Sequence, residues 1–158
     1  MAQALFVLLI CTPLWAGLFG QNKIQTKRTD WEVLKTQHFD IHFGKNLDSI
    51  AQFTAEQIEV IYDSVSFKMG HSLLDRIPIF LHNSPNHFRE TNVIGDILPE
   101  GVGGFTEIFR NRIVVPFDGS RNNLHHVLMH EMVHAMMFDL FSGGGPRGIA
   151  LLYKLKEV

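Results

Sequence analysis

The sequence predicts an α+β fold, and three observations carry that expectation. The first is a period-two alternation over residues 38–43, where Phe39, Ile41 and Phe43 alternate with Asp40 and His42. The second is a change to helical spacing over residues 47–69, where the apolar residues recur on one face. The third is the order of elements: strand, strand, helix, strand, hairpin, then two helical stretches. Local strands with segregated helices argue α+β.

Each element has its own signals. Residues 31–36 and 38–43 read as two short strands, with His38 and His42 on the solvent side. In the helix over 47–69, Ile50, Phe53, Ile58, Ile61 and Val65 share the buried face. Asp48 suits the positive end of its dipole, and Gly70 stops it. Ile77-Pro78-Ile79-Phe80-Leu81 is a short buried strand, and residues 84–91 are a short helix or loop. His82 and His87 are structural or exposed here. Residues 92–101, with Gly95, Pro99 and Gly101, read as loop.

Residues 103–109 and 112–117 form a hairpin turned at Arg110-Asn111. Pro116 cannot donate a ladder hydrogen bond, so its strand ends there or lies at an edge. Ser120 suits the N-cap of the next helix, which Gly143-Gly144-Gly145-Pro146 ends. This helix is apolar almost all round, from Leu124 through Phe138, so it is expected to be buried. Residues 149–158 are a last short helix or a frayed tail.

A chain of 158 residues, 46% hydrophobic and 19% charged, is sized and composed for one globular domain. The net charge is −2 and no basic patch appears, which excludes nucleic acid as an expected partner. The N-terminus differs from the rest. Residues 4–19 are nearly all apolar, too short for a comfortable membrane span and the right size for a signal-peptide core. Residues 1–20 are therefore read as a signal peptide or apolar leader, with cleavage after Ala16 or Gly20. The competing reading is a buried N-terminal helix, and the first residues, Met-Ala-Gln, carry no Lys or Arg. The expected destination is export, to a periplasm or the exterior, with membrane contact only through an uncleaved leader. The single cysteine, Cys11, lies in this segment, so the mature chain would hold no disulfide and no catalytic thiol.

The long apolar helix contains His130-Glu131-Met132-Val133-His134, the pattern H-E-x-x-H. Helical residues advance about 100° each, so His134 sits one turn above His130, about 40° around. Two imidazoles so placed can grip one metal ion, with the Glu131 carboxylate beside the water it holds. Two plainer readings compete. Nine His and eight Glu would produce the pattern by chance in roughly 2–3% of shuffled sequences. Alternatively, the histidines only form hydrogen bonds within a buried helix. The apolar surroundings weigh toward a metal, because buried imidazoles and a carboxylate need partners.

Taken together, the stretches WEVLKTQHFDIHF, RIPIFLHNSPNHF, TNVIGDILPEGVGGFTE, NRIVVPF and HHVLMHEMVHAMMFD resemble the zincin metallopeptidases. More narrowly, they are similar to the MA-type, gluzincin-like metallohydrolases of bacterial envelopes. The resemblance spans roughly residues 31–145. It implies a zincin-like N-terminal subdomain, a small mixed sheet packed on an amphipathic helix and on the H-E-x-x-H helix. It implies that His130 and His134 bind zinc and that Glu131 is the general base. It also implies that the hairpin over 104–117 borders the cleft and pairs with an extended peptide.

A catalytic zinc site commonly has three protein ligands, and the third is not evident. The pattern H-E-x-x-H-x-x-G-x-x-H fails, with Met137 at the glycine and Leu140 at the final histidine. The resemblance implies a glutamate on a later helix, yet no W-x-x-E-G-like motif follows. Glu157, the remaining carboxylate side chain after Asp139 and at a spacing compatible with such a ligand, is the candidate, though no Trp precedes it and no Gly follows it. His126 lies on the same stripe as His130 and His134, but three such residues spread about 12 Å along the axis. It is expected to line the entrance or to support a ligand, His125 to cap or pack, and Asp139 to orient a neighbour or meet the sheet. The domain over 31–158 is accordingly expected to be incomplete at its C-terminus. The expected activity is zinc-dependent hydrolysis of peptide bonds in a peptide or protein substrate. The alternative is a catalytically incomplete envelope binding module that keeps the fold.

Overall fold

A computed structural model describes residues 30–90 and 101–142. In chain order the elements are β1 (Trp31–Lys35), β2 (Phe39–Gly44), α1 (Asp48–Met69), β3 (Ile77–His82), α2 (Pro85–Arg89), β4 (Phe105–Glu107), β5 (Arg112–Pro116) and α3 (Arg121–Ser142). The strands form one five-stranded sheet in the order β1-β2-β3-β5-β4. The central pairs β2–β3 and β3–β5 are parallel, while β1–β2 and β4–β5 are antiparallel. The fold is therefore α+β with a mixed sheet. The leader over 1–20, the loop over 92–100 and the tail over 149–158 lie outside the described residues.

The alternation read in β2 sets the main core. Phe39, Ile41 and Phe43 face the helices with Ile77, Ile79 and Leu81 of β3 and Ile113 and Val115 of β5. Against them pack Ile50, Ala51, Ile58, Ile61, Tyr62 and Val65 of α1, and Leu124, Leu128, Met132, Ala135 and Met136 of α3. Each Leu or Ile buried this way contributes about 1.5–3 kcal/mol relative to an exposed position. Phe53, expected in the buried face of α1, is only half-buried against this core. A smaller cluster on the opposite sheet face joins Phe88 of α2 to Val114, with Phe80, Val102 and Phe105 beside them.

The helix ends follow local chemistry. Gly70 takes φ 61°, a left-handed conformation, and its N–H donates to the Ser66 carbonyl, which closes α1. Ser84 caps α2 by accepting from the His87 N–H, with Pro85 in the first turn. Ser120 Oγ accepts from the Asn123 N–H at 3.2 Å, as expected for the start of α3.

Several expectations need correction. The hairpin is shorter and its loop longer than read: β4 is Phe105–Glu107, and residues 108–111 connect it to β5. Asn111 adopts φ 43° where the loop enters β5, and the Phe109 N–H donates to Glu107 Oε1, so local hydrogen bonds replace the ladder there. The strand containing Pro116 does end there, but it is not at an edge, because β4 and β3 flank it. His38 is not a solvent-side strand residue. It lies in the bend before β2, where its Nδ1 sits 2.7 Å from Glu59 Oε2 on α1 and its N–H donates to Glu59 Oε1. Burial alone would raise Glu59, yet its hydrogen bonds with Thr36 and His38 hold it below the usual carboxylate range. His42 lies on the sheet face away from α1 and α3, stacked on Phe80 at 4.5 Å, and burial lowers its pKa. Finally, α3 is not buried all round. Met129, Val133, Met137, Leu140 and Phe141 are each at least 38% exposed, because among the described residues the sheet and α1 cover the other side.

Candidate functional site

The site is assembled where the β4–β5 hairpin meets the middle of α3. Close approach begins at Gly104. A Cβ placed there would lie 2.7 Å from Val127 Cγ1, 3.0 Å from Val115 Cγ1 and 3.3 Å from the Val114 carbonyl oxygen. Only a residue without a side chain fits that gap unchanged. Further along the hairpin, Asn111 Nδ2 donates to the Ala135 carbonyl at 3.2 Å. These contacts hold β4 along α3 beside the turn that carries His130, Glu131 and His134.

In that turn, His130 Nε2 and His134 Nε2 face each other at 3.1 Å, with ring centroids 4.8 Å apart. Two zinc–nitrogen bonds of about 2.0–2.1 Å at a tetrahedral angle separate the nitrogens by about 3.3 Å. The pair therefore fits two positions of a zinc site. The same distance also suits an N–H···N hydrogen bond between a donor and an acceptor imidazole. His130 is exposed and His134 half-buried, with the His134 ring stacked on Phe138 at 6.2 Å.

Glu131 is only 5% exposed. A buried carboxylate needs hydrogen bonds, and Thr106 on β4 provides one. Thr106 Oγ1 lies 2.8 Å from Glu131 Oε2 and 3.0 Å from the Glu131 carbonyl oxygen. A hydroxyl can donate to a carboxylate or accept from a carboxylic acid, so the contact suits either form of the side chain. Thr106 was missed in the sequence, where it is one polar residue in Phe105-Thr106-Glu107. The alternation there shows that Thr106 faces away from Phe105, but only the pairing with β5 decides which face meets α3.

A cavity of about 260 Å³ opens beside these groups, lined by Val102, Gly103, Gly104, His126, Val127, His130 and Glu131. His126 thus lines this cavity and lies outside the imidazole pair. His125 packs half-buried, and its Nδ1 is buried without a hydrogen-bond partner among the described residues. Asp139 meets a neighbour, the first of the two roles expected of it. Its Oδ2 lies 2.7 Å from His71 Nε2 and accepts from the Leu74 N–H at 3.3 Å, so it ties α3 to the segment after α1. His87 contributes its backbone to the α2 cap, and His82 packs edge-on to Trp31 at 5.4 Å.

Among the described residues, no group of three or more His, Cys, Asp or Glu is arranged to hold a metal ion. Glu157 lies outside the described residues. Among the described helices, none is long and apolar enough to cross a membrane. Compared with known proteins, the chain matches no family model, no curated protein and no solved structure.

Proposed function

We propose that this chain is a zinc-dependent metallopeptidase of zincin type, acting on a peptide or protein substrate after export. The observation that carries the reading is the convergence of His130 Nε2 and His134 Nε2 at 3.1 Å beside the buried carboxylate of Glu131. His130 and His134 would hold Zn2+, which when bound supplies a Lewis acid and a water acidic enough to act near neutral pH. Glu131, held by Thr106, takes the proton of the attacking water and passes it to the leaving amine. Among the described residues β4 is an edge strand of the sheet, so an extended substrate can add to it and run past the cavity at Gly103 and Gly104. Export rests on the apolar leader over 1–20.

A second reading has its own support. With two candidate ligands among the described residues, the chain could be a binding module that keeps the fold without the reaction. Zinc content separates the two. The purified chain should carry one zinc by elemental analysis, and His130→Ala should lose it. Glu131→Gln should keep the metal and lose hydrolysis of an unstructured protein such as casein. Zinc-free parent protein would overturn the peptidase reading, stoichiometric zinc in His130→Ala would overturn the ligand assignment, and undiminished hydrolysis in Glu131→Gln would overturn the assigned base.

A further inference from the structure

We infer that Thr106 is the positioning residue of the general base, a role that rests on the peptidase reading above. Three observations point to it. Of the β4 residues, Thr106 presents its side chain to α3, since Phe105 packs with Phe88 on the opposite face and Glu107 pairs with Arg112 Nε at 2.9 Å. Its hydroxyl reaches both the Oε2 and the backbone carbonyl of the same residue, Glu131, at 2.8 and 3.0 Å. The close seating of Gly104 on Val127 and the bond from Asn111 to Ala135 fix the strand on both sides of Thr106.

A carboxylate on a helix can rotate about its side-chain torsions. A general base must instead hold one orientation toward the water it deprotonates. The helix alone supplies no such restraint on Glu131. The hydroxyl of Thr106 supplies it from a neighbouring rigid element and leaves Oε1 for the proton transfer. A one-residue slip of β4 would replace this hydroxyl with Phe105 or Glu107, so the hairpin register is part of the site.

The test uses the full chain with Thr106→Val, which is nearly isosteric and lacks the hydroxyl, and Thr106→Ser, which restores it. On zinc-loaded protein with casein as probe, Thr106→Val should lower kcat about 10–100-fold. KM should stay within about twofold and zinc stoichiometry should match the parent. Thr106→Ser should recover most of kcat. Parent-like kcat in Thr106→Val, or a Thr106→Ser variant as slow as Thr106→Val, overturns the inference.

A second measurement needs no catalysis and separates failure of this inference from failure of the peptidase reading. A double-mutant cycle on the unfolding equilibrium combines Thr106→Val with Glu131→Ala. Glu131→Ala keeps the backbone carbonyl, so the cycle isolates the carboxylate contact. The two substitutions should couple by at least about fivefold in the unfolding constant. If the chain proves zinc-free and inactive but the coupling is present, the peptidase reading falls and the Thr106–Glu131 contact stands as structural only. Coupling below about 1.5-fold overturns the contact itself. If Thr106→Val does not fold, Thr106→Ala runs the same cycle.

Discussion

Gly104→Ala is expected to destabilise the fold by wedging β4 away from α3. The new Cβ would meet Val127 Cγ1 at 2.7 Å and Val115 Cγ1 at 3.0 Å. An ordinary carbon–carbon contact is about 3.5–4.0 Å, so the strand must move by roughly 1 Å or the valines must leave their rotamers. Valine is stiff about its first torsion, which makes the second escape costly. Overpacking of this size costs about 1–3 kcal/mol. Replacing glycine also trims the entropy of the unfolded chain, which offsets about 0.4–1 kcal/mol. The net loss is about 1–2 kcal/mol, or roughly 2–8 °C in Tm for a chain of this size. Differential scanning calorimetry on the parent, Gly104→Ala, Val127→Ala and the double variant reads it. Val127→Ala should relieve the tighter contact while the Val115 contact persists. The pair should then couple by at least about 0.5 kcal/mol in the rescuing direction, with recovery incomplete. A Gly104→Ala protein with the parent Tm and no coupling would falsify the view that close approach, rather than chance, places glycine there.

Two further outcomes follow from buried polar groups. His71→Ala removes the imidazole that lies 2.7 Å from the 5%-exposed Asp139, and should cost about 1–3 kcal/mol in urea unfolding at pH 7. A change under about 0.5 kcal/mol would show that this contact does not anchor the end of α3. Burial beside Trp31 and Phe88 pushes the His82 pKa down to about 4 from the ordinary 6.5, with the nearby His87 charge adding to the effect. The neutral form is thus favoured in the fold while the unfolded chain takes up a proton. Stability should be full above pH 6.5 and fall as the pH drops toward 4, by on the order of 3 kcal/mol. His42, also lowered by burial, acts in the same direction. His82→Gln should flatten unfolding free energies measured between pH 6.5 and 4.5. An unchanged slope in that variant would assign the acid sensitivity to other groups.

Much of the framework was legible because its signals are local. The alternation of Phe39, Ile41 and Phe43, the face of Ile50, Ile58, Ile61 and Val65, and the stop at Gly70 each report what a few neighbouring residues prefer. The Ser120 cap was readable for the same reason. The hairpin bounds were less so. A strand of three residues leaves too short a pattern, and the loop from Ile108 to Asn111 carries apolar residues that resemble strand. The half-open surface of α3 was also misread, since apolar composition does not say how many sides a sheet will cover.

His130 and His134 stand one turn apart on a helix with Glu131 between them in the chain, so the sequence alone determined that two imidazoles and a carboxylate would share a neighbourhood. Helical periodicity is enough for that, since it acts over four residues. Tertiary structure decided what no local rule reaches. It brought Thr106, 25 residues away in the chain, onto the Glu131 carboxylate. It seated Gly104 against Val127, and it turned His126 toward the cavity while sending Asp139 to His71. The physical reason is that these contacts depend on strand register and on which face of the sheet receives α3. Both are settled only when the whole core of β2, β3, β5, α1 and α3 packs together.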